Sequence, residues 1–192
     1  MYRNFFKRIF DLLFGLGSVV LLSPLFIIII IAIYFSSKGS AFYTQDRIGL
    51  NGGLFKLYKF RSMYVNRNFS VDKQVYKDDV NVTKVGRFIR RYKIDELAQL
   101  INVIKGDMSI VGPRPVLPNI KEYFDDNAEY RLKVRPGLTG LSQVNGNIHL
   151  PWKDRWVFDR KYVENVSLIN DLKIIFKTFA VVILGEERFK KD

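Results

Sequence analysis

The chain has 192 residues, and Lys plus Arg outnumber Asp plus Glu by 31 to 19, a net charge of +12. That length suits one domain with a sizeable core, and the charge implies an anionic partner: nucleic acid, a phospholipid surface or a phosphorylated substrate. With no cysteine and the single His149, a disulfide framework, a thiolate metal site and a two-histidine site are excluded; a metal here would be a hard ion on carboxylates, such as Mg²⁺.

From Ile9 to Phe35 the sequence reads IFDLLFGLGSVVLLSPLFIIIIIAIYF, with Asp11 as its only charge. A straight helix of this length measures roughly 40 Å against a hydrocarbon core of about 30 Å. Hydropathy alone therefore fits a signal anchor or a spanning helix. The run exceeds the apolar region of a cleaved signal peptide, and no A-x-A-like site follows. Two features argue for another arrangement. Pro24 denies the carbonyl of Val20 its helical partner, and the Ser23 hydroxyl can bond a carbonyl one turn back and ease a bend. Both flanks are also basic: Arg3, Lys7 and Arg8 precede the run, and Lys38, Arg47, Lys56, Lys59 and Arg61 follow it. Both obey the positive-inside rule only if the helix enters, bends near Pro24 and returns. Each half, at roughly 20 Å, is too short to cross alone. The sequence thus predicts a re-entrant membrane helix hairpin over residues 1–37, broken at Ser23 and Pro24, and a domain over residues 38–192 on the cytoplasmic face of the membrane.

Ala41 to Met63 reads as a β-hairpin turning at Asn51-Gly52. Tyr64 to Thr83 is polar and reads as a surface loop. Val85 to Tyr92 is a short basic helix or extended piece. Asp95 to Lys105 is a helix, with Leu97, Leu100, Ile101 and Ile104 at helical spacing and Gly106 as its stop. Gly112 to Pro118 is a rigid loop, and Asn119 to Val134 has a helix-like period. Arg135 to Gly146 reads as turns around one short strand. Trp152 to Tyr162 is helical. Leu168 to Leu184 is an amphipathic helix that could cap the core or lie on a membrane surface. Together these elements make a helix-rich α/β protein.

Asp95 and Glu96 open one of these helices, and two readings apply. Asp is a favoured N-cap, and acids suit a first turn. The same carboxylates, near Arg87, Arg90, Arg91 and Lys93, would stay ionised. An ionised carboxylate can attack phosphorus, a neighbouring one can hold Mg²⁺, and nearby bases can bind phosphate oxygens.

Four ordered blocks go further. KRIFDLLFGLGSVVLLSPLF, YKFRSM, KIDELAQLINVIKGDMSIVGPRP and VRPGLTGLSQVNG closely resemble the bacterial sugar transferases, and more narrowly the small monotopic polyprenyl-phosphate phosphoglycosyl transferases. The resemblance covers nearly the whole chain. It implies transfer of a sugar phosphate from a nucleoside diphosphate sugar, with UDP favoured, to polyprenyl (undecaprenyl) phosphate. The nucleotide then leaves as a monophosphate, and the enzyme sits on the bacterial inner membrane at the start of glycoconjugate synthesis. By the same resemblance Asp95 is the nucleophile and Glu96 the Mg²⁺ ligand. Arg90 handles phosphate, and Asp159 occupies a further acidic position, with a structural pair to Arg155 or Arg160 as the alternative. By chemistry Arg114, between prolines, suits a phosphate clamp or a structural salt bridge. Lys59 could face lipid phosphate, substrate or solvent, and Arg135 is a weaker candidate for a nucleotide or phosphate contact. His149 reads as a surface or packing residue, and Trp152 and Trp156 as core or interface anchors. Where relatives carry Arg directly after QVNG this chain has Asn147, which weakens transfer of any contact there.

No helix-turn-helix, zinc-finger or RRM signature is present, which argues against nucleic acid. A glycosyl transferase releasing UDP, and a basic membrane anchor without catalysis, are the other readings.

Overall fold

The computed structural model describes residues 2–65, 80–185 and 188. Most of the surface loop expected from Tyr64 to Thr83 lies outside the described residues. Its ends are tied together by an antiparallel bridge of Met63 to Val82 and by Tyr64 N–H donating to Asn81 O at 2.9 Å.

Helix α1 runs from Lys7 to Ser36 and stays helical through Pro24. The break expected at Ser23-Pro24 is therefore absorbed inside one helix, with no turn between two. The reason is local. Pro24 cannot donate to Val20, and the Ser23 hydroxyl donates to that same carbonyl at 2.8 Å.

Both ends of α1 are held by the same body. At its start Lys7 Nζ meets Asp171 Oδ2 at 2.6 Å, and Arg8 donates to the carbonyls of Val103 and Ile104 at 2.6 and 2.8 Å. Asp11 accepts from Ser109 Oγ and from Ile110 N–H, each at 2.9 Å. At its end Ile29 and Ile33 are buried with Phe60, Ile89 and Ala98, and Arg61 donates to Ser37 O at 2.7 Å. Between these anchors the outer face is bare: Leu13, Val20, Leu21, Ile27 and Ile28 are all exposed. A contiguous apolar face of this size is compatible with a membrane anchor.

Strands β1 (Phe42–Ile48) and β2 (Leu54–Phe60) form the hairpin, with Tyr43 opposite Lys59. Its turn uses positive φ at Asn51 and Gly52, as Asn-Gly favours. Helix α2 (Lys84–Arg91) is capped by Thr83, whose hydroxyl accepts from Gly86 N–H at 2.8 Å. The acid pair sits in a 3₁₀ turn, Ile94–Gln99, which continues into helix α3 (Leu100–Lys105). Gly106, at φ 95°, ends it. Ala98 belongs to the core cluster with Ile33 and Phe60, while Leu100 and Val103 belong to the main one with Leu57, Met108 and Ile174. The segment carrying the acids is thus gripped by two cores.

Strand β3 (Ser109–Val111) pairs in parallel with β4 (Gly137–Thr139), the one short strand expected in that stretch. The helix expected from Asn119 to Val134 is broken into a 3₁₀ turn Pro118–Tyr123, helix α4 (Asp126–Tyr130) and a further turn Arg131–Lys133. Phe124 is extended, and the Asp125 carboxylate restarts the helix by accepting from Ala128 N–H at 2.9 Å. Helix α5 spans Trp152–Glu164 and α6 spans Leu168–Leu184. The two roles open to α6 fall on opposite faces. Ile174, Ile175 and Val181 enter the core, while Ile169, Phe176, Phe179 and Ile183 are exposed.

Asp171 is fully buried and accepts from Lys7 Nζ, from Tyr2 at 2.7 Å and from Tyr162 at 2.8 Å. Removing one member of a buried ion pair strands the other charge. Asp171→Ala should therefore cost about 3–5 kcal/mol, lowering the thermal midpoint by roughly 6–20 °C. An unchanged midpoint in detergent would contradict this account of how α1 is fastened.

Candidate active site

Between Arg90 and Asp95 the chain reverses at Lys93, which adopts left-handed φ 54°. Lys93 N–H donates to Arg90 O at 3.2 Å and Glu96 N–H to Lys93 O at 3.2 Å. This tight turn sets Arg90 beside the acids. Of the basic knot, Arg90 bears on Asp95, while Arg87 and Arg91 are exposed. The N-cap is Lys93, which makes no side-chain capping bond, so the capping role open to Asp95 is not taken.

The two carboxylates stand in different surroundings. Glu96 accepts from Arg114 through both oxygens, at 2.6 and 3.2 Å, and from Lys59 Nζ at 2.9 Å. Burial alone would raise its pKa, but Arg114 and Lys59 outweigh that and hold it well below the carboxylate range. Asp95 is 8% exposed. Burial, and then the negative charge of Glu96, push its pKa up to about 6, against the pull of Lys59, Arg90 and Arg114. Asp95, expected to be ionised among nearby bases, is still ionised at neutral pH at that value, but desolvation lifts its pKa because those cations are committed chiefly to Glu96.

Lys59 comes from β2 and Arg114 from the loop after β3. Both are paired with Glu96, and this is the salt bridge open to Arg114. That loop is held from behind. Ile48 N–H donates to Val116 O at 3.0 Å, Arg47 to Pro115 O at 3.2 Å, and Arg131 Nη2 to Arg114 O. Arg131 in turn pairs with Asp159 at 3.1 Å, and Ser142 donates to Asp159 at 2.9 Å. The pairing expected for Asp159 with Arg155 or Arg160 is thus made with Arg131. Asp159 points inward at 2% exposure, whereas Arg160 turns out to Glu164 and Arg155 to the carbonyls of Leu150 and Ile148. Asp159 stands behind the site and reaches Glu96 only through Arg131 and Arg114.

Arg135 donates to Gly106 O at 2.8 Å, at the far end of α3 from the acids. His149 is exposed, Trp156 is in the core, and Trp152 is partly exposed. Arg47 is a site residue that sequence reasoning missed. It shares a hairpin face with Lys59, which strand alternation could have shown. Burial, and then Arg114, lower its pKa to about 10, while Glu96 raises it. Arg47 Nε and Arg90 Nη1 are buried without a hydrogen-bond partner. Buried cations with open N–H groups around two carboxylates make a cage suited to phosphate oxygens.

Among the described residues no group of three or more acidic or histidine ligands could hold a metal ion. Mg²⁺ fits by a different mode, through one or two carboxylates, substrate phosphates and water. After its three hydrogen bonds Glu96 retains a lone pair on Oε2, and Asp95 is adjacent.

Fold and site together define a helix-rich protein with an apolar helix compatible with a membrane anchor and a buried acid pair inside a basic cage. The chain belongs to the bacterial sugar transferase family, whose sequence profile matches residues 2–185. It is 44% identical to an exopolysaccharide production protein, ExoY, of Sinorhizobium fredii, over 93% of this chain and 86% of that one. It is 40% identical to the undecaprenyl-phosphate galactose phosphotransferase of Salmonella typhimurium, covering 94% of this chain but 41% of that longer protein. Against the UDP-glucose:undecaprenyl-phosphate glucose-1-phosphate transferase of Klebsiella pneumoniae the identity is 39%, over 90% of this chain and 39% of the relative.

The Arg131–Asp159 pair is buried on both sides. Arg131→Met should destabilise the protein by about 3–5 kcal/mol. Adding Asp159→Asn should recover part of that loss, since no uncompensated charge then remains. Strict additivity in a double-mutant cycle of thermal unfolding would show that the two side chains are not coupled.

Proposed function

We propose that this protein is a polyprenyl-phosphate phosphoglycosyl transferase. It moves a sugar 1-phosphate from a UDP-sugar to polyprenyl (undecaprenyl) phosphate and releases UMP. The observation that carries this reading is the division of labour in the acid pair. Glu96 is locked by Arg114 and Lys59, while Asp95 is buried, free of a capping role and tuned to a pKa of about 6. A carboxylate of raised pKa is more basic than a solvated one, yet remains ionised at neutral pH.

In the first step an Asp95 oxygen attacks the β-phosphorus of the UDP-sugar. The bond from that phosphorus to the bridging oxygen breaks, and UMP leaves with both electrons. Asp95 then carries the sugar phosphate as an acyl phosphate. In the second step an oxygen of polyprenyl phosphate attacks the same phosphorus and displaces the Asp95 carboxylate, yielding polyprenyl diphosphate sugar. Arg90 and Arg47 supply open N–H groups to phosphate oxygens, and Arg114 and Lys59 neutralise charge beside them. Asp159 acts by holding Arg131, and through it the backbone of Arg114. Mg²⁺, held by Glu96 with phosphate oxygens and water, would offset charge on the leaving UMP.

The membrane arrangement follows from α1. A helix that crossed the bilayer would put its two ends on opposite faces of a hydrocarbon core about 30 Å thick. Here Lys7 and Ser37 are bonded to the same body. That supports a monotopic protein on the cytoplasmic face, with α1 entering the bilayer without crossing it and the site at headgroup depth, where the acceptor phosphate lies.

With a panel of UDP-sugars, undecaprenyl phosphate and Mg²⁺ in nanodiscs, UMP should be released, and Asp95→Asn should lower turnover by about 10³-fold or more. Release of UDP would mean transfer of the sugar alone and would overturn the mechanism. Asp95 is protonated below its pKa and cannot attack. kcat/KM should therefore fall tenfold per pH unit below about 6 and level off above it. A flat profile from pH 5 to 7 would contradict the raised pKa of Asp95.

A further inference from the structure

Arg61 stands apart from the acid-pair cage, at the exit of α1. It is only 7% exposed. Its Nη2 donates to Ser37 O at 2.7 Å and to Ser37 Oγ at 3.1 Å, which satisfies the C-terminal end of α1 where a cation is favoured. Its remaining nitrogens, Nε and Nη1, are buried without a partner. Among the described residues no carboxylate is paired with it, and burial alone acts on its ionisation, downward. A buried guanidinium with open N–H groups and no counter-charge is costly, and such groups point to an anion.

The surroundings identify the anion. Ser37, Lys38, Gly39, Tyr64 and Val65 line an open cleft. Arg61 Nη1 lies directly beneath its floor: a Cβ on Gly39 would come within 2.5 Å of it and 3.3 Å from Val65 Cγ2. Gly39 also has φ 113°, which side-chain-bearing residues rarely adopt. The glycine therefore leaves no side chain between the cleft and the guanidinium buried beneath its floor. Lys38 is exposed beside it. Tyr34 and Phe35, 71% and 81% exposed, continue the bare apolar face of α1 up to this point. Cations at the end of an apolar helix, flanked by exposed aromatic rings, are placed at headgroup level.

We propose that Arg61 and Lys38, with the Ser37 hydroxyl, bind the phosphodiester of an anionic membrane phospholipid at a site separate from the acid pair. A free phosphate would match the cations but would leave the adjoining aromatic and apolar surface uncovered. The proposal rests on α1 lying in the bilayer and is independent of the phosphosugar chemistry.

The test uses the full chain in phosphatidylcholine nanodiscs containing phosphatidylglycerol, with retained lipid counted by native mass spectrometry. Wild type should keep one phosphatidylglycerol in preference to phosphatidylcholine. Arg61→Met should lose it, and Lys38→Gln, at an exposed position that leaves folding intact, should bind it about fivefold more weakly. Flotation with pure phosphatidylcholine vesicles separates the two premises. Failure to float would remove the membrane premise and the proposal with it. Flotation with equal lipid retention by wild type and both variants would overturn the headgroup site alone. Displacement by millimolar inorganic phosphate, or retention of undecaprenyl phosphate in preference to phosphatidylglycerol, would also overturn the phospholipid assignment.

Discussion

Two neighbouring carboxylates cannot both be ionised cheaply in a buried place, and this structure resolves the conflict by giving most of the cations to one of them. Glu96 takes Arg114 through both oxygens and Lys59 through one. Asp95 keeps the burial and the repulsion. Much of the fold serves that asymmetry. The hairpin brings Lys59, the loop after β3 brings Arg114, and the Arg131–Asp159 pair fixes the carbonyl behind Arg114. The 3₁₀ turn itself is wedged between two apolar clusters, so the acids cannot drift into solvent where their environments would become alike.

A second constraint shapes the other side of the molecule. Helix α1 presents almost nothing but hydrocarbon outward, yet its underside is fastened by polar groups. Lys7 and Asp11 are buried within it, and the ion pair Lys7–Asp171 joins positions 164 residues apart. Arg8 donates to the carbonyls of Val103 and Ile104 at the end of α3, on the same helical run that begins with the acid pair. The apolar helix α1 and the helical run that begins with the acid pair are therefore one mechanical unit. Any depth that α1 adopts in a bilayer sets the height of Asp95 relative to lipid phosphates.

Local features were legible in the sequence because their causes are local. Asn51-Gly52 turned the hairpin, Gly106 stopped α3, and the Ser23 hydroxyl met the carbonyl that Pro24 abandons. The family was legible from four ordered blocks, and its profile matches residues 2–185. What escaped depends on contacts distant in the chain. The raised pKa of Asp95 comes from burial by elements that share no sequence proximity with it, and counting nearby arginines gave no hint of it. Arg131 as the partner of Asp159 joins the turn after α4 to α5, while the nearer Arg155 and Arg160 looked equally fit on paper. Arg47 reads as one more basic flank until the hairpin register puts it on the face of Lys59. The continuity of α1 through Pro24 was missed because one side-chain hydrogen bond sufficed where a turn was expected.

The central claim is that Asp95 becomes covalently phosphorylated by the sugar phosphate. The most direct measurement is the intact mass of the protein after brief exposure to a turnover-competent UDP-sugar and Mg²⁺ without lipid acceptor, followed by fragmentation to locate any adduct. The account predicts a mass increase of one sugar phosphate, mapped to Asp95 and discharged by adding undecaprenyl phosphate. UMP formation that occurs only when donor and acceptor are both present, with no adduct at any time, would contradict it and point to direct transfer between the two substrates.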